Sequence, residues 1–358
     1  MGIDLDCYNK LLESDLEHIL VHTSDLWSSL KSSTIFITGG TGFFGKWFLE
    51  TFAYANLKLG ADLNVIVLSR DPDNFLKKYP HFGNNAFLKF IKGDVKNFRY
   101  PDESIDYIIH AATESSEKLN ANDPLLMFDT IVNGTVNVLN LARQKNPKAL
   151  LFTSSGAVYG KQPPDITHVS EDYRGGPDQT DVKSAYAEGK RAGELLCSIY
   201  NSQWNVHAKI ARCFAFVGPY LPLDVHFAIG NFIRDGLNGG PITVRGDGSP
   251  FRSYLYSADL VIWLLYILNH AVDSHPYNVG SSFEIDIESL AHLVSRQFKP
   301  APDVLVKNRR DPHRVPERYV PSVERTMREL NVRQHIDLNE AVGRTISFYQ
   351  RSAAGSGK

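Results

Sequence analysis

From residue 34 to about residue 215 the chain alternates between two hydrophobic rhythms. Short apolar runs at Thr34–Thr38, Val65–Leu68, Phe87–Ile91, Tyr107–His110, Ala149–Thr153 and His207–Ala211 have the length and side chains of strands. Between them, Phe44–Tyr54, Asp129–Gln144 and Ser184–Asn201 place apolar residues at helical spacing. Strands separated by helices need right-handed crossovers, which lay the strands parallel and cover both faces of the sheet. The pattern predicts an α/β fold with a doubly wound parallel sheet. Upstream, Leu11, Leu12, Leu16, Ile19 and Leu20 form one stripe with Ser14-Asp15 as a candidate cap, so residues 1–31 read as a helical arm. Past Pro219 the rhythm breaks at Pro222, Gly230, Gly236 and Gly246-Asp247-Gly248. A smaller lobe is expected over residues 216–350, with 252–275 returning to the main domain of residues 32–215. The small, polar tail 351–358 is expected to be disordered.

Charge and composition narrow the function classes. The 358 residues carry 38 Lys+Arg against 40 Asp+Glu, a net charge of −2. No global field draws the chain to nucleic acid or anionic lipid. The basic run Lys307, Arg309, Arg310, His313, Arg314 and Arg318 lacks interleaved aromatics, so it reads as a solvated face rather than a nucleic-acid surface. No apolar run reaches the roughly 20 residues of a bilayer crossing, and Leu260–Leu268 is sized for a core helix. The first residues, MGIDLDCYNK, read as neither a secretory signal nor a myristoylation motif, which wants Ser or Thr where Asp6 stands. Cys7, Cys197 and Cys213 form no disulfide framework, so a reducing, cytoplasmic setting is expected. His18 and His22 have metal-ligand spacing but no third ligand nearby in sequence, and no metal is expected.

The first strand runs into Thr38-Gly39-Gly40-Thr41-Gly42-Phe43-Phe44-Gly45, a G-x-x-G-x-x-G loop that opens a helix. Glycines there let backbone N–H groups approach a pyrophosphate at the positive helix end, marking a Rossmann-type dinucleotide site. The second strand then chooses between cofactors. An acid after Leu68 would bind the ribose hydroxyls of NAD, but Ser69-Arg70 stands there and Asp71 follows late. A hydroxyl and a guanidinium suit a 2′-phosphate, so NAD(P) is expected with NADP slightly favoured; the alternative is that Arg70 stacks on adenine with either cofactor. Asp94, beside Val95, can take the adenine amino group, and Ala111-Ala112 leaves room for the nicotinamide ribose.

Tyr186 and Lys190 form Y-x-x-x-K on one helical face. A lysine ammonium beside a phenol favours the phenolate, which can exchange a proton with a sugar hydroxyl. Thr153-Ser154-Ser155 ends the fifth strand and offers a hydroxyl to the same oxygen.

With TGGTGFFG, HAAT, SSGAVYG, YAEGK, RCFAFVGPY, FRSYLYSADL and YNVGS in this order, the chain resembles the extended short-chain dehydrogenases/reductases of the nucleotide-sugar epimerase/dehydratase group. The resemblance runs from about residue 32 to about residue 350. It implies transient oxidation at a sugar C4, with Ser155, Tyr186 and Lys190 catalytic, and with Tyr186 and Lys190 also contacting the cofactor, Lys190 at the nicotinamide ribose. Thr41 to Phe44 then serve the cofactor pyrophosphate and Arg252 the substrate diphosphate. Ala215 stands where an Asn usually touches that diphosphate, which leaves more to Arg252 and Asn231, with Arg314 as a further nucleotide contact. The dehydratases carry an Asp-Glu pair after the catalytic hydroxyl residue, and the decarboxylating relatives keep the Glu. Here Gly156 and Ala157 follow Ser155. The expected reaction is therefore epimerisation through a 4-keto intermediate. A 4,6-dehydratase, with Glu114 substituting from another loop, is the alternative. A 4-keto reductase or a non-catalytic dinucleotide binder comes after it. The group also implies an active site in the cleft between the lobes and a homodimer pairing helices 129–144 and 184–201 into a four-helix bundle. Precursor synthesis for surface polysaccharide or glycoconjugates is the expected setting.

Overall fold

The computed structural model describes residues 8–83, 85–112, 117–225 and 227–355. Internal contacts divide the chain into two units. The first is Met1–Val158, Pro177–Arg212 and Val261–Tyr277; the second is Tyr159–Gly176, Cys213–Leu260 and Asn278–Lys358. Residues 159–176, expected in the main domain, thus belong to the second unit, because Val169 bridges to Pro321 and Gln162 accepts a bond from the Val320 amide.

In the first unit, α1 (Glu13–His22) and α2 (Trp27–Leu30) precede the sheet. Within the arm, Asn9 caps a 3-10 turn at Lys10–Leu12 by accepting from the Leu11 amide, and Ser14 and Asp15 lie inside α1 rather than at a cap. Then follow β1 (Thr34–Thr38), α3 (Phe43–Leu59), β2 (Asn64–Ser69), α4 (Pro72–Lys78), β3 (Leu88–Lys92) and β4 (Tyr107–His110). Next come α5 (Glu117–Asn122), α6 (Pro124–Lys145), β5 (Ala149–Ser155), α7 (Ala185–Trp204) and β6 (Ala208–Cys213). With β11 (Pro276–Val279), six of these elements make a seven-stranded sheet in the order β11-β6-β5-β4-β1-β2-β3. Its β3-β2-β1-β4-β5 portion pairs in parallel throughout. The chain leaves β1 in one direction and returns at β4 for the other, so a switch point lies at the C-terminal ends of β1 and β4.

Phe36, Ile108, Leu150 and Phe152 of the sheet are buried with Val138, Leu139, Leu141 and Ala142 of α6 and with Cys197 and Tyr200 of α7. Helix α6 is well set at both ends: Asp123 accepts from the Leu126 amide, Pro124 occupies the first turn, and Asn146 closes it in the left-handed region. Among the described residues it is the one helix long and apolar enough to cross a membrane, where the sequence pattern shows no such run. One face of it is core, and Asp129 on another face pairs with Lys96, so its apolar content reflects packing.

The second unit is built of short strands, as the glycines and prolines predict. β7 (Phe216–Val217) pairs with β10 (Leu255–Tyr256), and β8 (Ile242–Val244) with β13 (Val304–Val306). β9 (Phe251–Ser253) lies between β12 (Glu284–Asp286) and β14 (Arg318–Tyr319). Helix α8 (Ala228–Leu237) packs on the later helix Ile287–Ser295. The final helix, Leu338–Gly355, corrects the expected tail: residues 351–355 continue it, since Ala353 and Ala354 are strong helix formers.

Candidate active site

The glycine loop closes at the switch point. Gly39 has φ +73°, and a Cβ there would lie 2.4 Å from the Ala111 carbonyl oxygen. A Cβ on Gly45 would lie 2.3 Å from both the Gly39 oxygen and the Gly40 Cα. The loop is therefore pressed against the turn after β4 on one side and the first turn of α3 on the other. Gly42 caps α3 with no side-chain acceptor, and the first turn holds no acid, so nothing in it neutralises the positive helix end. A cofactor pyrophosphate fits that end.

His110 braces the same region. Its Nδ1 lies 2.7 Å from Thr38 Oγ1 and its Nε2 lies 3.1 Å from Thr135 Oγ1. Thr135 already donates to the Ile131 carbonyl, so it accepts from His110 Nε2–H, and Nδ1 accepts from Thr38. Thr38 Oγ1 in turn accepts from the Ala112 amide at 3.2 Å. Burial, with the Lys190 charge adding to it, pushes the imidazole pKa down to about 3. The neutral ring thus ties the ends of β1 and β4 to α6.

A pH prediction follows from this ring. The unfolded chain protonates His110 near pH 6.5, whereas the folded one keeps it neutral to about pH 3. The unfolded state binds the extra proton in that window, so stability falls as pH drops from 6.5 toward 3. One such group contributes a slope of about 1.4 kcal/mol per pH unit. Urea unfolding at a series of pH values should show this component vanish in His110→Gln.

At the end of β2, Ser69 is buried and Arg70, which follows it, is exposed. Asp71 accepts from the Asn74 amide at 3.2 Å and caps α4, whose first residue is Pro72. The late acid thus has a structural task. Asp94 accepts from the Lys96 amide at 2.9 Å in a turn after β3, while Val95 packs against Gly134 of α6.

Tyr186 and Lys190 stand one turn apart at the start of α7. The Tyr186 amide donates to Asn120 Oδ1 at 3.2 Å. The Lys190 side chain is buried, donating to the Thr153 carbonyl at 2.6 Å with the ammonium 4.9 Å from the Phe152 ring centroid. Helix α7 comes this close because residue 193 is glycine: a Cβ there would meet Phe152 Cζ at 2.5 Å. Two residues beyond Thr153, Ser155 ends β5 and its Oγ accepts from the Ala157 amide at 3.2 Å. Gly156–Tyr159 form a 3-10 turn. Glu114 lies outside the described residues.

In the second unit, Arg252 sits at the centre of β9 and donates to the Phe251 carbonyl at 2.8 Å. A cavity of about 360 Å³ is lined by Asp247, Ser249, Asn308, Arg309, Arg314 and Glu317 among others. Arg314 is thus where a ligand can reach it, with Glu317 at 3.8 Å. Arg252 and Asn231 do not line this cavity. Asn231 accepts from Arg234 Nη1 at 3.0 Å on α8.

The sequence profile of the NAD dependent epimerase/dehydratase family matches residues 35–280. The chain belongs to that family. Among epimerase/dehydratase relatives, UDP-glucuronic acid decarboxylase 1 of Arabidopsis thaliana is 30% identical over 329 residues, 89% of this chain and 70% of that one. UDP-glucuronic acid decarboxylase 1 of Xenopus tropicalis is 28% identical over 321 residues, 88% and 72% of the two chains. The fold is shared with UDP-glucose 4-epimerase of Thermotoga maritima, at TM-score 0.74 and 18% identity over 89% of this chain and 99% of that one. It is also shared with dTDP-glucose 4,6-dehydratase of Bacillus anthracis, solved with NAD, at TM-score 0.71 and 19% identity over 90% and 98%.

Proposed function

We propose that this epimerase/dehydratase family member is a nucleotide-sugar epimerase working through a transient 4-keto sugar. One observation carries the choice of reaction: the turn after Ser155 holds Gly156 and Ala157, side chains with no proton to give or take. Elimination of water and loss of a carboxylate both call for an acid or base beyond the oxidising pair. Inversion at C4 does not. Bound NAD(P) supplies the hydride acceptor and later the donor. Tyr186 Oη takes the C4 hydroxyl proton, Ser155 Oγ hydrogen-bonds the same oxygen, and the Lys190 ammonium favours the phenolate. Once the keto sugar has rotated so that the other face of C4 would meet the hydride donor, Tyr186 returns the proton to the C4 oxygen. Arg252 and Asn231 are read as the groups on the substrate diphosphate, with Arg314 as a further nucleotide contact.

Mass spectrometry of products from a panel of nucleotide hexoses and hexuronates in deuterated water tests this. An unchanged mass at a new retention time, without deuterium, is expected. Loss of water with deuterium uptake would instead mark a dehydratase, and loss of carbon dioxide a decarboxylase of the kind its relatives are named for.

NADP is favoured over NAD because Ser69-Arg70 ends β2 while Asp71 is engaged as a helix cap. Arg70→Ala should weaken NADP binding by about tenfold or more and NAD binding little. Equal losses in fluorescence titrations would mean that Arg70 stacks on adenine. Leu125 and Phe128 on α6 and Leu195, Ile199 and Trp204 on α7 are exposed, which supports a homodimer through these helices. Sedimentation of the full chain should give twice the mass, and Leu195→Glu should halve it. Buried Cys197 and Cys213 support a cytoplasmic setting.

A further inference from the structure

Below Lys190 on the same stripe of α7 stands Glu194, which the reaction above does not use. Its carboxylate accepts a 2.5 Å hydrogen bond from Ser154 Oγ. The same carboxylate takes a forked pair from Arg212 at the end of β6, Nε to Oε1 at 2.9 Å and Nη2 to Oε2 at 2.7 Å. Ser154 is 3% exposed, and the Arg212 and Glu194 side chains are 14% and 12% exposed. A shielded ion pair with two-point geometry is directional, so it fixes the carboxylate and not merely its charge.

Its grip falls one residue before Ser155. The same strand end is held at the preceding residue by Lys190 on the Thr153 carbonyl and by Thr153 Oγ1 on the His110 carbonyl at 3.1 Å. Strand side chains alternate, so Ser154 is the residue on which a helix facing Phe152 can pull. Phe152 does face α7, at Gly193. Two successive positions of β5, Thr153 and Ser154, are therefore clamped just before the chain turns off into Gly156–Tyr159.

We infer that Glu194, oriented by Arg212, is a positioning residue that sets the placement of Ser155 against Tyr186 by holding Ser154. It rests on the assignment of Ser155 and Tyr186 given above. Glu194 does not touch substrate in this scheme. It acts through the strand, and the reacting hydroxyls depend on its geometry because a small misplacement of reacting groups is amplified in rate.

Ser154→Ala removes the grip while leaving the ion pair and its burial intact, which keeps the fold. It should lower kcat by about tenfold with KM for the nucleotide sugar unchanged. Ser154→Thr, which keeps the hydroxyl, should restore kcat. Glu194→Gln should fall with Ser154→Ala in kcat, and its thermal unfolding separates folding loss from misplacement. A second readout needs no turnover: the nuclear magnetic resonance signal of the isotope-labelled ζ carbon of Tyr186, assigned by its loss in Tyr186→Phe. Ser154→Ala should move that signal and Ser154→Thr should return it. If kcat and the Tyr186 signal stay at wild-type values in Ser154→Ala, the inference is overturned and the cluster only secures the fold. If the signal moves but no nucleotide sugar is turned over by the wild type, the positioning stands and the assigned reaction falls.

Discussion

Tyr186→Phe is expected to reduce turnover of a nucleotide sugar by about a thousandfold, the range associated with loss of a general acid–base group. The phenyl ring keeps the shape of the first turn of α7, and Lys190 remains on the Thr153 carbonyl, so stability should hold and cofactor binding should change far less than turnover. The loss should appear in kcat, because the missing oxygen handles the proton in the transition state rather than binding the nucleotide. Steady-state kinetics beside a cofactor titration on one preparation checks both halves. Retention of wild-type turnover would remove Tyr186 from the chemistry and with it the proposed proton path.

Gly45→Ala is the second large effect, and it should act on binding and folding together. The added methyl would sit 2.3 Å from two backbone atoms of the glycine loop, which cannot rotate aside as a flexible side chain would. Either α3 moves away from the loop or the loop opens, and both separate the helix end from the pyrophosphate position. A stability loss of roughly 3 kcal/mol is expected from this overpacking. Cofactor affinity should fall by about a hundredfold, since the loss is of several charge-assisted backbone hydrogen bonds at once. Urea unfolding and fluorescence titration with the reduced cofactor measure the two separately. A variant that unfolds like the wild type and binds the cofactor normally would show that the loop tolerates a wider spacing.

What was legible in the sequence was local. The glycines at 39, 42 and 45, the apolar strand before them and Y-x-x-x-K are each contained within a few residues, and each falls in the element its pattern predicts. Asp71 was visible as an acid two places late, and its reason needed coordinates: it caps α4, a seven-residue helix that Asp71-Pro72 starts too abruptly for periodicity to show. His110 reads as the polar end of a strand. Its bracing role depends on the register that sets Thr38 opposite it and on a threonine 25 residues downstream. Glu194 is the same case. Its spacing of four from Lys190 marks the stripe it shares, but Arg212 reaches it only once β6 lies beside β5. The second unit gave little in advance because its two- and three-residue strands carry no period.

The first unit is assembled from three stretches of chain, and the outermost sheet position next to β6 is filled by Pro276–Val279. A ribosome making this protein therefore delivers six of the seven strands of the sheet long before the one that finishes it. During that interval β6 stands as an open edge, a template for pairing with another nascent chain. Products truncated ahead of residue 276 should be captured by chaperones or aggregate rather than yield a smaller cofactor-binding domain. For anyone dividing the molecule into expressible parts, a piece meant to hold the complete sheet has to run through residue 279.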